Sequence, residues 1–167
     1  MNEIVEPASS AIIEELNQKV PSREQIERLQ VEVSKLPQAE DMETTHYFSN
    51  SMYGRKLAIK AGTLVVGKVH KQAHLFICAG GEMVVWTENG MKNIYPGDII
   101  ESKEGTKRVI LALVDSIMVT VHKTDKTDLD EIEEEIIEPD ETALFDSSNN
   151  LKQIVLEGQK MMALKGN

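Results

Sequence analysis

Apolar positions along the chain change their period twice. In "PSREQIERLQVEVSKLP", Ile26, Leu29, Val33 and Leu36 recur at steps of three and four residues, which is the spacing of one helix face. Ser22 followed by Gln25 has the pattern of a capping box, and Pro37 cannot continue a helix. The spacing therefore predicts an amphipathic helix of about four turns. Upstream, Ile12, Ile13 and Leu16 suit a second, shorter helix against the same partner. From about Thr45 to Lys123 the apolar runs shorten and are rich in Val, Ile and Leu: "RKLAIKAGTLVVGKV", "HLFICAGGEMVVW", "KNIYPGDIIES", "KRVILALV" and "SIMVTVHK". Gly, Asn, Asp and Pro separate them, so five or more strands with turns every 8 to 12 residues or so are expected, arranged as a sandwich or barrel. No alternating helix pattern points to a parallel sheet. After His122, "TDLDEIEEEII" reads as a helix capped by Thr127 or Asp128, with acidic side chains at the positive end of its dipole and Pro139 closing it. Beyond a loop at residues 146–150, Leu151, Ile154, Val155, Met161, Met162 and Leu164 suit a last helix, its two Met filling an irregular contact. The divisions this implies are a helical extension at 1–44, a β-barrel at 45–124 and an acidic helix with a helical tail at 125–167.

Composition narrows the function classes. The chain has 167 residues and 41% hydrophobic content, enough for one domain with a real core. A formal net charge of −10 argues against a nucleic-acid partner, since phosphate contacts need clustered Lys and Arg. The balance is uneven, however: residues 125–141 are strongly acidic, whereas 54–107 carry a modest excess of Lys and Arg, so a basic pocket inside an acidic protein is allowed. The single cysteine, Cys78, excludes an intramolecular disulfide and reads as a small core residue. No apolar run approaches about 18 residues, and "MNEIVEPASS" lacks the basic and apolar regions of a signal peptide, so the expectation is a soluble cytoplasmic protein with no membrane partner. "AGGE" and "ENGMKNIYPGD" read as hairpin turns, with Trp86 and Tyr95 packing near their ends; neither ends in the Lys-Ser/Thr of a phosphate loop. No Ser-His-Asp order or carboxylate pair stands out, so pattern alone assigns no catalytic residue.

Residues 46–122 resemble the cupin fold, a small double-stranded β-helix, and more closely the small cupin-like proteins encoded by tailed bacteriophages. The resemblance lies in "AGTLVVGKVH", "AHLFICAGGEMVVWTENG", "YPGDIIESKEGTKRV" and "VTVHKTDKTDLDEIE"; it runs from the "IERLQVEVSKLP" helix to about Ile137 and leaves residues 138–167 outside. It implies an all-β core, a cupin-like jelly-roll barrel, with α-helices added at both ends. In metal-binding cupins the first motif supplies two histidines one residue apart, then a glutamate, then a glycine. Counted back from Gly81, the glutamate position falls on His74, the second histidine on His70 and the first on Lys68. In the second motif, "GDIIESKEGTKR", Gly97, Asp98 and Gly105 match, but Lys103 replaces the proline and Arg108 the histidine. Two of four ligand positions are thus occupied by cations, and the ordinary metal set is broken.

Geometry limits what remains. On one unbroken strand His70 and His74 would lie about 13 Å apart, too far to share an ion with bonds near 2.1 Å, so a turn at residues 71–73 is needed. The resemblance implies that turn, with both positions on successive strands facing one pocket. It also implies that "SIMVTVH" runs antiparallel beside the strand starting at His74, which would complete a three-nitrogen site of His70, His74 and His122 for one divalent transition metal. Taken alone, "KRVILALVDSIMVTVHK" reads instead as a hairpin turning at Asp115, setting His122 opposite Arg108. Lys68 and Arg108 beside His70 and His74 would form a cationic concavity for a small anionic molecule, a carboxylate, phosphate or nucleotide; the alternative is that both cations pair with Glu82, Glu101 or Glu104, or snorkel to solvent. His46, in "ETTHYF", has no derived chemistry and suits the surface or core edge.

Three function classes follow. The first is a small-ligand-binding cupin-like phage protein with a degenerate metal motif. The second is a metal-dependent enzyme of the isomerase or dioxygenase type using the three histidines. The third is a structural or assembly protein of the virion, with the barrel as scaffold and the terminal helices as contacts. A homo-oligomer is expected for all three, located in the infected cell's cytoplasm or in the virion.

Overall fold

The computed structural model describes residues 22–39, 42–87, 89–141, 143, 145–148 and 150. The helices expected around Ile12 and from Leu151 lie outside them. Within them the order is α1 (Arg23–Val33), β1 (Thr44–Ser49), β2 (Met52–Ile59), β3 (Leu64–Val66), β4 (His74–Gly80), β5 (Met83–Thr87), β6 (Gly90–Ile94), β7 (Ile99–Ser102), β8 (Val109–Ala112), β9 (Ser116–Lys123) and α2 (Leu129–Ile136). The strands form a five-stranded sheet, β1-β2-β9-β4-β7, and a four-stranded sheet, β3-β8-β5-β6, and every pairing is antiparallel. Leu57, Phe76, Cys78 and Met118 from the first sheet meet Met83, Val85, Ile110 and Ala112 from the second in one buried cluster. This is the expected all-β core, a cupin-like jelly roll with helices added before and after it.

Two turns differ from the local reading. β8 pairs with β3 and β5, while β9 pairs with β2 and β4, so residues 113–115 carry the chain from one sheet to the other and no hairpin forms at Asp115. Separating the two strands lets Ile110 and Ala112 face Met118 across the core, which a hairpin within one sheet would prevent. "AGGE" is likewise a crossing between sheets. Gly81 takes φ 77°, and a side chain there would collide with the Asp115 carbonyl and Ser116, so the two crossings pack directly on each other.

Both helices follow from caps and apolar stripes. Ser22 and Gln25 form the capping box of α1, whose Ile26 and Leu29 are buried against Val84, Trp86 and Val109 on the outer face of the second sheet. Each such side chain stabilises by on the order of 1.5–3 kcal/mol relative to exposure. The helix ends a turn earlier than Pro37 alone suggests, because the Ser34 hydroxyl donates to the Val31 carbonyl and the Lys35 amide to that of Glu32, tightening the last turn. Trp86 is therefore a packing residue and Cys78 is core, whereas Tyr95 is half exposed. Asp128, rather than Thr127, caps α2, accepting from the amides of Asp130 and Glu131, and Ile132 and Ile136 pack on Tyr53. Among the described residues no helix packs on the outer face of the first sheet, where Leu75, Ile99 and Ile117 are exposed. No helix among the described residues is long and apolar enough to cross a membrane.

Candidate metal centre

Strand register builds most of the site. The β4–β9 ladder pairs Leu75 with Val121, which sets His74 and His122 side by side on the inner face; β2 adds Tyr53 beside His122 and Arg55 beside Thr120, and β7 adds Ser102 beside His74. Adjacent strands alternate in and out together, so these form a polar row above the apolar row of Leu57, Met118 and Cys78. His70 comes from the bend between β3 and β4, so the required turn is present. Its ring lies 4.0 Å from that of His74 and 5.3 Å from that of His122, and the last two are 4.7 Å apart, centroid to centroid. One nitrogen from each of the three lies within 4.8 Å of the others.

The protonation of these rings suits ligation. His74 Nδ1 is 3.3 Å from the Gln72 carbonyl, and the Thr106 backbone, which accepts from the His70 amide, acts on the His70 ring as well. A ring that donates one N–H to a carbonyl keeps a lone pair on its other nitrogen, the arrangement that orients a metal-bound imidazole. Burial pushes His70 down to about 2, helped by the neighbouring His74, His122 and Arg55, and His122 down to about 3, helped by His74 and Arg55. His74 is lowered too, by burial and then by Arg108. All three are neutral imidazoles at pH 7, the form that binds metal.

The donors present fit a transition metal. Bonds of about 2.1 Å place two ligand nitrogens at most about 4.2 Å apart, so closing these rings onto one ion takes a side-chain movement of under about 1 Å. His122 Nδ1 is buried and has no hydrogen-bond partner among the described residues, an expensive condition that a bound group would relieve. Three imidazoles with open positions suit Zn, Cu, Fe or Ni. A cavity of about 410 Å³ opens in front of them, its deeper wall made by Leu57, Phe76, Ile110 and Met118.

The other expected site residues divide. Arg108 is buried, donates to Ser102 Oγ at 3.0 Å and stands near enough to His74 to lower its pKa. Lys68 also lines the cavity, but its ammonium is committed to Glu133 of α2 at 2.8 Å and to the Phe145 carbonyl at 3.1 Å, not to Glu82, Glu101 or Glu104. Two cavity residues were not singled out from the sequence, Tyr53 and Arg55. Their signal was present: in "MYGRKLAI" the inward positions are Tyr53, Arg55, Leu57 and Ile59, and a cation in such a row is unusual. His46 is tied to this row as well, its Nδ1 2.8 Å from the Tyr53 hydroxyl, and Tyr53 in turn stacks on His122.

The fold and the imidazole cluster together define a jelly-roll barrel with a nitrogen-lined pocket. No protein-family model matches the chain, and no curated protein sequence matches it. Among solved structures it is similar to KdgF from Halomonas sp. (14% identity over 51% of this chain and 82% of that one, TM-score 0.46). A cupin superfamily protein from Desulfitobacterium hafniense aligns at 15% identity over 55% of this chain and 86% of that one, with TM-score 0.45. A putative ethanolamine utilization protein from Salmonella typhimurium aligns at 12% identity over 51% and 71%, with TM-score 0.44. Overlap at this level says nothing about activity.

Proposed function

We propose that the protein binds a divalent transition metal through His70, His74 and His122 and holds a small organic anion beside it. The observation that carries this is the cluster itself: three neutral, buried or half-buried imidazoles whose nitrogens lie within 4.8 Å on a cavity wall. The metal when bound would polarise a ligand oxygen or activate water. The chain's own part is to keep three lone pairs aimed inward and to supply guanidinium N–H groups from Arg108 and Arg55, which suit a carboxylate or phosphate. An enzyme of the isomerase or dioxygenase type is the activity this arrangement would serve. The infected cell or the virion is the setting that the phage resemblance suggests.

Elemental analysis of untagged protein tests the reading, alongside a His70→Ala/His74→Ala variant. About one equivalent of a transition metal, lost in the variant, is expected; none in the native protein after incubation with Zn²⁺, Fe²⁺ or Ni²⁺ and desalting would sink it. A second reading, anion binding without metal, is favoured by the buried Arg108, which is held by Ser102 and lines the same cavity. It predicts that anion binding survives a chelator, whereas the metal reading predicts that it does not.

A further inference from the structure

Two of the three imidazoles are fixed by a strand ladder, and the third is not. His70 lies in the connection at residues 67–73, outside both sheets. On one side the β7–β8 loop grips it: the His70 amide donates to the Thr106 carbonyl at 3.3 Å and the Gly105 amide to the His70 carbonyl at 2.7 Å. On the other side the grip comes from the end of α2. Ile137 forms an antiparallel bridge with His70, the Lys71 amide donates to the Ile136 carbonyl at 2.8 Å, and the Glu138 amide donates to the Val69 carbonyl at 2.9 Å. Side chains repeat the connection, with Lys71 Nζ on the Glu134 carbonyl at 2.6 Å and Lys68 Nζ on Glu133 at 2.8 Å. Residues 68, 69 and 71, which flank His70, are therefore all bonded to residues 133–138. Those residues are anchored in turn, because Ile132 and Ile136 are buried beneath α2 against Tyr53 of the barrel.

We propose that the end of the acidic helix, residues 133–138, is a positioning strap for the third metal ligand, with Lys71 and the Glu138 amide as the groups through which it acts. The inference rests on the metal-binding reading above. A metal site needs its donors held to within about 0.5 Å, and a donor on a loop meets that condition only if the loop is over-determined by its neighbours. Here the neighbours are a segment more than sixty residues away in sequence, as the Lys68–Glu133 separation of 65 shows. Coupling of this kind is reciprocal: if the strap raises metal affinity, the metal holds the strap closed. Because Leu129, Ile132, Glu133 and Ile136 also line the cavity, a metal-held strap keeps the cavity wall in place.

The test is zinc binding by the full chain, measured by calorimetry with Zn²⁺ alone. Lys71→Ala/Glu138→Pro removes one side-chain bond and one amide donor, while Lys71→Arg/Glu138→Ala keeps both donors. Ile137 is already extended, as a residue before proline must be, and Lys71 is exposed, so the α2 backbone bonds are kept, while the exposed Arg23–Glu138 ion pair is lost in both variants alike. The first variant is expected to bind zinc about 10- to 100-fold more weakly, the scale seen when groups that orient metal ligands are lost. The second is expected to bind and, without metal, to melt like the native chain, and the first to remain folded without metal, melting lower only by what two lost hydrogen bonds cost. Hydrogen exchange supplies the reciprocal readout: zinc should slow the amides of residues 130–138 in the native chain and leave them unchanged in His70→Ala. Native zinc affinity in the first variant, or zinc-independent exchange in the native chain, overturns the strap while leaving the metal site standing. A native chain that binds no zinc removes both.

Discussion

Replacing His122 by leucine separates a metal ligand from an ordinary core histidine, because the first predicts little change in the metal-free protein and the second a clear loss. The ring is 4% exposed, and its Nδ1 has no hydrogen-bond partner among the described residues. A buried polar atom in that state costs about 1–3 kcal/mol, and His122→Leu removes the cost. Against this stands the loss of ring contacts with Tyr53, His70 and His74 at centroid distances of 5.9, 5.3 and 4.7 Å, worth about 0.5–1.5 kcal/mol for each pair at most and partly replaced by leucine's own contacts with the same rings. Leucine keeps the apolar bulk. The net change is therefore within about 1 kcal/mol of zero, or about 2–4 °C in melting temperature for a chain of this size.

Metal reverses the comparison. At free zinc about 100-fold above its dissociation constant, binding to the native state adds about 2.7 kcal/mol, or roughly 5–11 °C. With His122 gone two imidazoles remain, and that increment should vanish. Calorimetric melts of both proteins, with chelator and with zinc, read all four quantities. A metal-free His122→Leu protein that melts more than about 5 °C lower would show that the ring nitrogen is satisfied in solution and that its role is structural. A zinc increment that persists in the variant would show that the ion sits elsewhere.

Three further outcomes are expected. Leu29→Ala, at a fully buried position between α1 and the second sheet, should lower stability by about 2–5 kcal/mol in denaturant titrations; a loss under about 1 kcal/mol would mean that α1 does not dock there. Without metal, stability should decline as pH falls from about 6.5, where the unfolded chain begins to take up protons that burial denies His122 down to about 3 and His70 down to about 2. An equal slope in His70→Ala/His74→Ala, by urea midpoints across that window, would refute this. The first sheet, whose outer face is exposed among the described residues, should pair with a second copy, since Lys56 and Glu101 lie toward opposite edges of the strip holding Leu75, Ile99 and Ile117, and a two-fold axis along the strands brings unlike charges together. Light scattering should then give a dimer that Ile99→Lys converts to monomer, and a native monomer at micromolar concentration refutes it.

What could be read from the sequence was whatever is local or carried by the cupin resemblance. The capping box of α1 and the Asp128 cap of α2 depend on residues two or three apart, and both helices formed where those residues stand. The three histidines were brought together on the resemblance, because it implied that β9 lies beside β4. Local turn chemistry implied the opposite at Asp115, and it failed because the choice of sheet is decided by which apolar faces meet across the core, a long-range condition that a turn cannot encode. Arg55 and Tyr53 were missed for a related reason. Alternation along β2 marks them as inward-facing, but only the register with β9 shows that they face imidazoles rather than leucines.

The broken motif also explains why an anion belongs in the proposal. The three donors brought together here are all imidazoles, His74 standing where the resemblance implies a glutamate, so they carry no negative charge. A divalent ion held by them would keep its full charge in a partly buried site, and burying an uncompensated charge is unfavourable. The compensation has to come through the open positions. Arg108, beside His74, and Arg55, across the row, add positive potential that raises the demand further. The two cation replacements therefore act differently: Lys68 is spent on the strap through Glu133, and Arg108 faces the cavity. Metal and anion should accordingly be taken up together, each binding weakly without the other.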